Sequence, residues 1–381
     1  MRVGQRSRDA FYALAADTGG IAMADRNDLS AGIASAAEQI SSYYLIGYYS
    51  THVEADGRYR RVRVSLVGGL GAEVAHRDGY FADKVFARFT EADKERQLQE
   101  ALRLEDPITD LPIAVGVHYF RLNRAEYFVP VSVRIPGSEL ALAMRRGAPR
   151  TVIDLVGEVK DDHGVTHRNV RDKLDIRLDA AQAAQLPARP LQYETGFTLL
   201  PGRYVLKVLA RDGTTGRIGT FELPFEVPNL NRCGRRLPIS SVVLSSQLVA
   251  PGDAVYRVRQ KGMDDKASPL VHDATRFIPS VTRVFRAERD LHALVEVYPG
   301  GTPGGPSPAV VWVAAFYRGD VKTFELSGTV VPANARREAK SVVRVTIPAR
   351  SVDPGPYDVQ LTLLAPDLQQ AAFWRASVVL R

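Results

Sequence analysis

From about residue 111 onward the chain is written in short runs that alternate apolar and polar residues, set apart by turn residues every ten to fifteen positions. Successive side chains of a strand point to opposite faces, so this period of two fits strands with one covered face and cannot be satisfied by a helix. GVHYFRL, EYFVPVSVRI, TVIDLVGEVKD, VTHRNVRDKLDIRL, LQYETGFTLL, RYVLKVLARD and TFELPFEVP are the runs between 111 and 228. Seven strands in that length predict a β-sandwich. DAAQAAQLPAR, within this stretch, reads as a loop or a short helical turn.

PNLNRCGRRLP, residues 228–238, has the composition of a linker. A second β-rich region follows to the end, with SVVLSS, ATRFIPSVTRVF, LHALVEVYP, AVVWVAAFYRG, VKTFELSGTV, SVVRVTIPA, YDVQLTLLA and FWRASVVLR as its strands. GGTPGGPSP and QKGMDDKASP read as exposed loops. A short repeat ties the two regions together. LPGRYVLKVLARD places Pro201, Gly202 and Tyr204 before a strand, and DPGPYDVQLTLLA does the same with Pro354, Gly355 and Tyr357. Proline and glycine make the turn, and the tyrosine anchors the strand start. In Ig-like sandwiches such a tyrosine closes a corner through its hydroxyl. Trp312 and Trp374 are expected in the core or half-buried on a sheet.

Residues 82–105 are charged, free of glycine and proline, and place Phe86, Phe89, Leu98, Leu102 and Leu104 at helical spacing before Pro107 and Pro112. They predict a connecting helix packed on a neighbour. The first 80 residues mix types in the order α-β-α-β-β-β. DAFYALAAD is helical and stopped by Gly19-Gly20, LSAGIASAAEQISS is helical after the cap candidates Asp25, Asn27 and Asp28, and YYLIGYYS is a strand. In that strand Tyr44, Ile46 and Tyr48 share one face and Tyr43, Leu45, Gly47 and Tyr49 the other, as expected of a strand buried between helix layers. Tyr59–Leu66 and part of Ala72–Phe81 are expected strands, with Arg58, Arg60, Arg61 and Arg63 on a wet face.

These N-terminal motifs resemble the closing part of a von Willebrand factor type A domain, and more narrowly the VWFA-related proteins of Acidobacteria. The residues that carry the likeness are Leu14-Ala15, Thr18-Gly19-Gly20, Asn27-Asp28-Leu29, Tyr44-Leu45-Ile46-Gly47-Tyr48, Arg60–Val64 and Arg77-Asp78-Gly79-Tyr80. The resemblance implies a partial, doubly wound α/β unit and an extracellular or periplasmic protein. It implies no metal site: the D-x-S-x-S loop that supplies hard oxygen ligands in the family does not occur here. A half-sheet would leave an open edge, so limited proteolysis is expected to cut faster before residue 110 than after it. The whole chain thus reads as multidomain and mainly β: a type A α/β unit over 1–82, a connecting helix over 83–110, an Ig-like sandwich over 111–228, a linker over 229–239 and a second sandwich over 240–381.

Charge and motifs narrow the chemistry. The net charge of +7 is spread over scattered arginines, with Arg145-Arg146, Arg235-Arg236 and Arg336-Arg337 as isolated pairs, which is no nucleic-acid footprint. No run of 18 apolar residues occurs, so no integral membrane helix is expected. MRVGQRSRDA has no apolar segment and so does not read as a signal peptide. Cys233 is the single cysteine and has no histidine beside it, so neither a disulfide nor a catalytic thiol is expected. His163 and His167, next to Asp161 and Asp162, are four apart as in a helical zinc pair, but D-D-H-G reads as a hairpin turn. EADG at Glu54–Gly57 and KGMDD at Lys261–Asp265 lack calcium-loop spacing. No nucleophile elbow, Walker loop or zincin motif is present.

The expected function is therefore non-enzymatic, without catalytic, cofactor or metal residues: a protein-interaction, adhesion or scaffold protein with protein partners. The alternative is a carbohydrate-binding accessory protein, which needs Tyr256, Phe277, Tyr298 and Phe316 exposed and aligned. A structural spacer is a third reading.

Overall fold

The computed structural model describes residues 46–68, 79–145, 147–231, 236–250, 257–259, 268–273, 275–298, 309–330 and 340–381, together with Ile33, Ala37, Val74, His76 and Gly234. The chain is mainly β and divides into two units, Met1–Lys94 and Glu95–Arg381.

In the first unit the described strands are β1 (Tyr59–Arg61) and β2 (Gly79–Phe81), an antiparallel pair. Arg61 and Arg63 are exposed, but the strand ends at Arg61 instead of running to Leu66 as expected, and Arg60 pairs with Asp56 at 2.9 Å. The buried strand expected at YYLIGYYS is not found in its described part. Residues 46–50 lie outside any strand, and Ile46, Tyr48 and Tyr49 are exposed. Tyr43 and Tyr44, with most of the motif residues of the first 45 positions, lie outside the described residues. Helix α1 (Glu91–Arg103) crosses the unit boundary. Thr90 caps it: its hydroxyl accepts from the Asp93 amide at 3.2 Å, and the Asp93 carboxylate accepts from the Thr90 amide at 2.8 Å. The helix is shorter than the 82–105 pattern, because Phe86–Arg88 forms a separate 3₁₀ turn.

The second unit opens with a sandwich. One sheet contains β3 (Ala114–Val117), β4 (Phe120–Arg121), β5 (Tyr127–Ile135) and, further on, β9 (Leu191–Leu199). The other contains β6 (Ala143–Arg145), β7 (Ala148–Asp161), β8 (Thr166–Arg177), β10 (Gly202–Asp212) and β11 (Ile218–Val227). The short helix α2 (Ala180–Gln185), closed by an Asp179–Gln182 capping box, joins β8 to β9. Alternation sets the core: Val129, Val131 and Val133 of β5 and Tyr193 and Phe197 of β9 meet Leu155, Val159, Leu206 and Val208 from the facing sheet. GVHYFRL makes two strands rather than the one expected. Leu98 and Ala101 of α1 pack on Leu209 and Ile218, so the helix covers the β10/β11 sheet.

The chain continues with β12 (Val243–Ser245), β13 (Leu248–Val249) and β14 (Arg257–Arg259), the last pairing parallel with β9 and so extending the first sandwich's sheet. Then come β15 (Val271–His272), β16 (Thr275–Phe277), β17 (Val284–Phe285), β18 (Leu291–Val297), β19 (Val310–Arg318), β20 (Val321–Val330), β21 (Ser341–Ile347), β22 (Gly355–Ala365) and β23 (Gln370–Leu380). Strands in the order β17-β23-β22-β19-β20 face the sheet β12-β18-β21, and β13-β16-β15 forms a small third sheet. ATRFIPSVTRVF does not run as one strand: after Phe277 comes Pro279, which offers no ladder donor, and Arg283 takes a left-handed φ of 52°. Trp312 and Trp374 are half-buried against the core.

Both repeated tyrosines close corners. The Tyr204 hydroxyl donates to the Leu200 carbonyl at 3.0 Å, and that of Tyr357 donates to the Asp353 carbonyl at 2.7 Å. Each strand that they open is followed by the last strand of its sandwich. Arg318 adds a 2.6 Å bond to the Tyr357 hydroxyl. Tyr204→Phe and Tyr357→Phe are each expected to cost about 1 kcal/mol, with Tyr357 the larger, as measured by urea unfolding.

The residues expected as a linker are fastened at both ends. Leu230 is buried in the first core and its amide donates to the Tyr127 hydroxyl at 2.9 Å. Leu237 is buried in the second core and its amide donates to the Ala371 carbonyl at 2.9 Å. Among the described residues no helix is long and apolar enough to cross a membrane.

Candidate functional site

The face of the β5/β9 sheet turned away from the first core carries polar side chains. Ser132 and Arg134 alternate with the core valines on β5, and Gln192 and Glu194 alternate with Tyr193 on β9. In an isolated sandwich this face would meet water. Here Ser132, Gln192 and Glu194 are buried, and Glu194 is ion-paired with Arg276 of β16, both side chains almost fully enclosed. Phe120, Val243, Leu270, Phe277 and Leu294 form a small apolar cluster across the same junction. Beside it, the Tyr298 hydroxyl donates to Glu296 at 2.8 Å and accepts the Arg121 amide at 2.8 Å. Burial, with the Glu296 carboxylate adjacent, raises the Tyr298 hydroxyl well above its ordinary value and keeps it a donor. Lys340 reaches the buried Glu296 at 2.6 Å.

At one end of this junction the sandwiches part to leave a cleft of about 760 Å³. Its first wall comes from α2, the turn after it and the β5/β9 sheet, which place Gln182, Gln185, Arg189, Gln192 and Arg134. The second wall is formed by Ser246, Gln247 and Val249 and by the segment 278–289, which brings Ser280, Arg286 and Arg289. Four arginines line the cleft, and no aspartate or glutamate is among its lining residues. Arg134 spans it, donating to the Thr282 hydroxyl at 3.0 Å, and burial holds its guanidinium below its ordinary value. Gln192 is 8% exposed, and its Nε2 amide is buried with no hydrogen-bond partner. The guanidinium and amide NH₂ groups donate, the amide oxygens and the Ser280 hydroxyl also accept, and no His, Asp, Glu, Lys, Tyr or Cys is among the lining residues.

The cleft had no signature in the sequence. Its arginines are singletons separated by as many as 155 positions, from Arg134 to Arg289, and only the fold assembles them. The sequence-flagged candidates lie elsewhere. His163 and His167 sit on the β7–β8 hairpin, where Gly164 takes a φ of 79°. Asp161, Asp162 and His163 bring ligand atoms within 4.8 Å of one another. The Asp161 carboxylate is already engaged: one oxygen accepts the His163 and Val165 amides at 2.9 Å, and the other faces His167 Nε2 at 2.8 Å. The bond to His167, first, and those amides hold its acidity below the ordinary carboxylate range. The cluster is a hairpin turn. Cys233 and the KGMDD segment lie outside the described residues. Of the aromatics that a carbohydrate platform would require, Phe277, Tyr298 and Phe316 are buried, and Tyr256 lies outside the described residues.

Three histidines titrate abnormally. Burial pushes His118 down to about 4, with Arg283 adding to it, and burial also lowers His272 and His292. A depressed imidazole binds fewer protons in the folded chain than in the unfolded one. Stability is therefore complete above the ordinary value of 6.5 and falls as pH drops from there toward 4. His118 is only partly buried as a residue, and a loss of about 2 kcal/mol across that window is expected from it. Urea titrations of the wild type and His118→Asn at pH 7 and pH 4.5 check this; an equal loss in both would exclude His118 as the source.

No family model matches the chain, and no curated protein matches it. Among solved structures, a protein described as a beta-galactosidase from Bacteroides fragilis aligns over 30% of this chain and 16% of its own length, at 15% identity and a TM-score of 0.22. A Bacteroides uniformis beta-glucuronidase aligns over 68% of this chain and 26% of its own, at 11% identity and a TM-score of 0.22. Red sea bream transglutaminase aligns over 77% and 34%, at 12% identity and a TM-score of 0.19. This chain spans far less than two thirds of each of these proteins, and likenesses at such scores carry no argument about what it does.

Proposed function

We propose that this chain acts by binding rather than by catalysis, as a protein-interaction or scaffold protein whose two sandwiches, Ig-like in their tyrosine corners, jointly form the recognition surface. The observation that carries the reading is the cleft: its walls come from both sandwiches and present guanidinium, amide and hydroxyl donors, groups that hold a ligand without exchanging protons with it. The resemblance of the first 85 residues to VWFA-related proteins supports the same class, with an adhesive role and an extracellular or periplasmic setting. A photo-crosslinking residue tests it, placed at Gln185 on the cleft or at Lys322 on the exposed strand β20, in chain incubated with surface extract of the source cells. Discrete adducts are expected from the cleft position only. Equal adducts from both positions would overturn the proposal.

A further inference from the structure

Resting on that reading, we infer that the cleft is an acidic-peptide site: it takes the side-chain carboxylates of a partner segment, with the orphaned Gln192 amide as its innermost contact.

The buried Gln192 donor is the first argument. An amide Nε2 enclosed at 8% exposure with no acceptor is costly, about 1–3 kcal/mol, unless something fills the place. What is missing is an acceptor, since an amide NH₂ can only donate. The second argument is the sign of the surroundings. Arg134 is the cross-strand neighbour of Gln192, and Arg286 and Arg289 stand on the opposite wall. The nearest carboxylate on β9, Glu194, is ion-paired with Arg276 through one oxygen and is not among the cleft's lining residues. An acceptor entering here is therefore favoured when it is an anion. The third argument is shape. Guanidinium forks and an amide are planar donors, and carboxylates are the planar acceptors that they match in pairs. A volume of about 760 Å³ admits a short chain segment rather than a single ion.

The two outer arginines are exposed and can be removed without disturbing a core. The test is fluorescence anisotropy with fluorescein-labelled hexaglutamate and the full chain at low ionic strength. Saturable binding is expected, at least tenfold weaker in Arg286→Ala/Arg289→Ala and weaker again as salt is added. Gln192→Leu is expected to weaken it severalfold. Arg63→Ala/Arg177→Ala, on other surfaces, is expected to leave it unchanged. Thermal midpoints confirm that the variants fold, and the arginine pair alone suffices if Gln192→Leu does not. No saturable binding, or equal binding by the Arg286/Arg289 variant, overturns the inference. So does an oligodeoxythymidylate of equal charge that displaces the peptide at lower concentration. Failure of the peptide with cleft crosslinking retained would end the acidic-ligand inference and leave the interaction reading standing. Loss of position-specific crosslinking would remove that reading itself.

Discussion

Arg276→Ala is expected to lower the unfolding free energy by about 3–5 kcal/mol. Arg276 and Glu194 are both almost fully enclosed, and one Glu194 oxygen has no partner even with the arginine present. Taking away the guanidinium leaves a carboxylate in a dry junction with nothing to offset its lost hydration. The comparison that isolates this cause is Arg276→Met/Glu194→Leu, which removes both charges and keeps apolar volume. It is expected to recover most of the loss or exceed the wild type. Urea unfolding followed by the fluorescence of Trp312 and Trp374 reads both. A single variant within 1 kcal/mol of the wild type would show that water reaches the pair.

The second large effect is at Tyr298. The residue follows β18 of the second sandwich, yet its ring packs in the core of the first. Tyr298→Phe keeps the ring and strips Glu296 and the Arg121 amide of a partner, for about 1.5–3 kcal/mol. Tyr298→Ala adds a void and is expected to cost about 3–5 kcal/mol or more. The same change should separate the sandwiches: hydrogen exchange of β5 and β9 and tryptophan fluorescence are expected to coincide in the wild type and to report different midpoints in the variant. Coincident midpoints in Tyr298→Ala would place the coupling elsewhere, in the Phe120–Phe277 cluster.

What was legible in the sequence was local. The alternation of LQYETGFTLL and RYVLKVLARD located β9 and β10, and the Pro-Gly-x-Tyr pattern located both corners, because a bond from a hydroxyl to a carbonyl four residues back is built within one turn. The same alternation carried no sign that Gln192 and Glu194 would be enclosed. The reason is non-local: the second sandwich covers that face, and nothing near β9 announces an element more than 80 positions away. The carbohydrate platform failed likewise, since Phe277 and Tyr298 were consumed by the junction. The broken run at Pro279 was a missed local signal, as a proline inside an expected strand argues against it.

The last residue is also held. The Arg381 amide donates to the Phe285 carbonyl at 2.9 Å, and its own carbonyl accepts the Ala287 amide at 2.8 Å. Those acceptor and donor positions flank Arg286, one of the cleft arginines. Any polypeptide fused after Arg381 would therefore emerge at the rim of the cleft. An affinity tag placed there, above all an acidic one, would compete with the peptide probe from a tethered position at high effective concentration. Binding measurements on this chain call for an untagged C-terminus, and a deliberately fused acidic tail would serve as a built-in inhibitor.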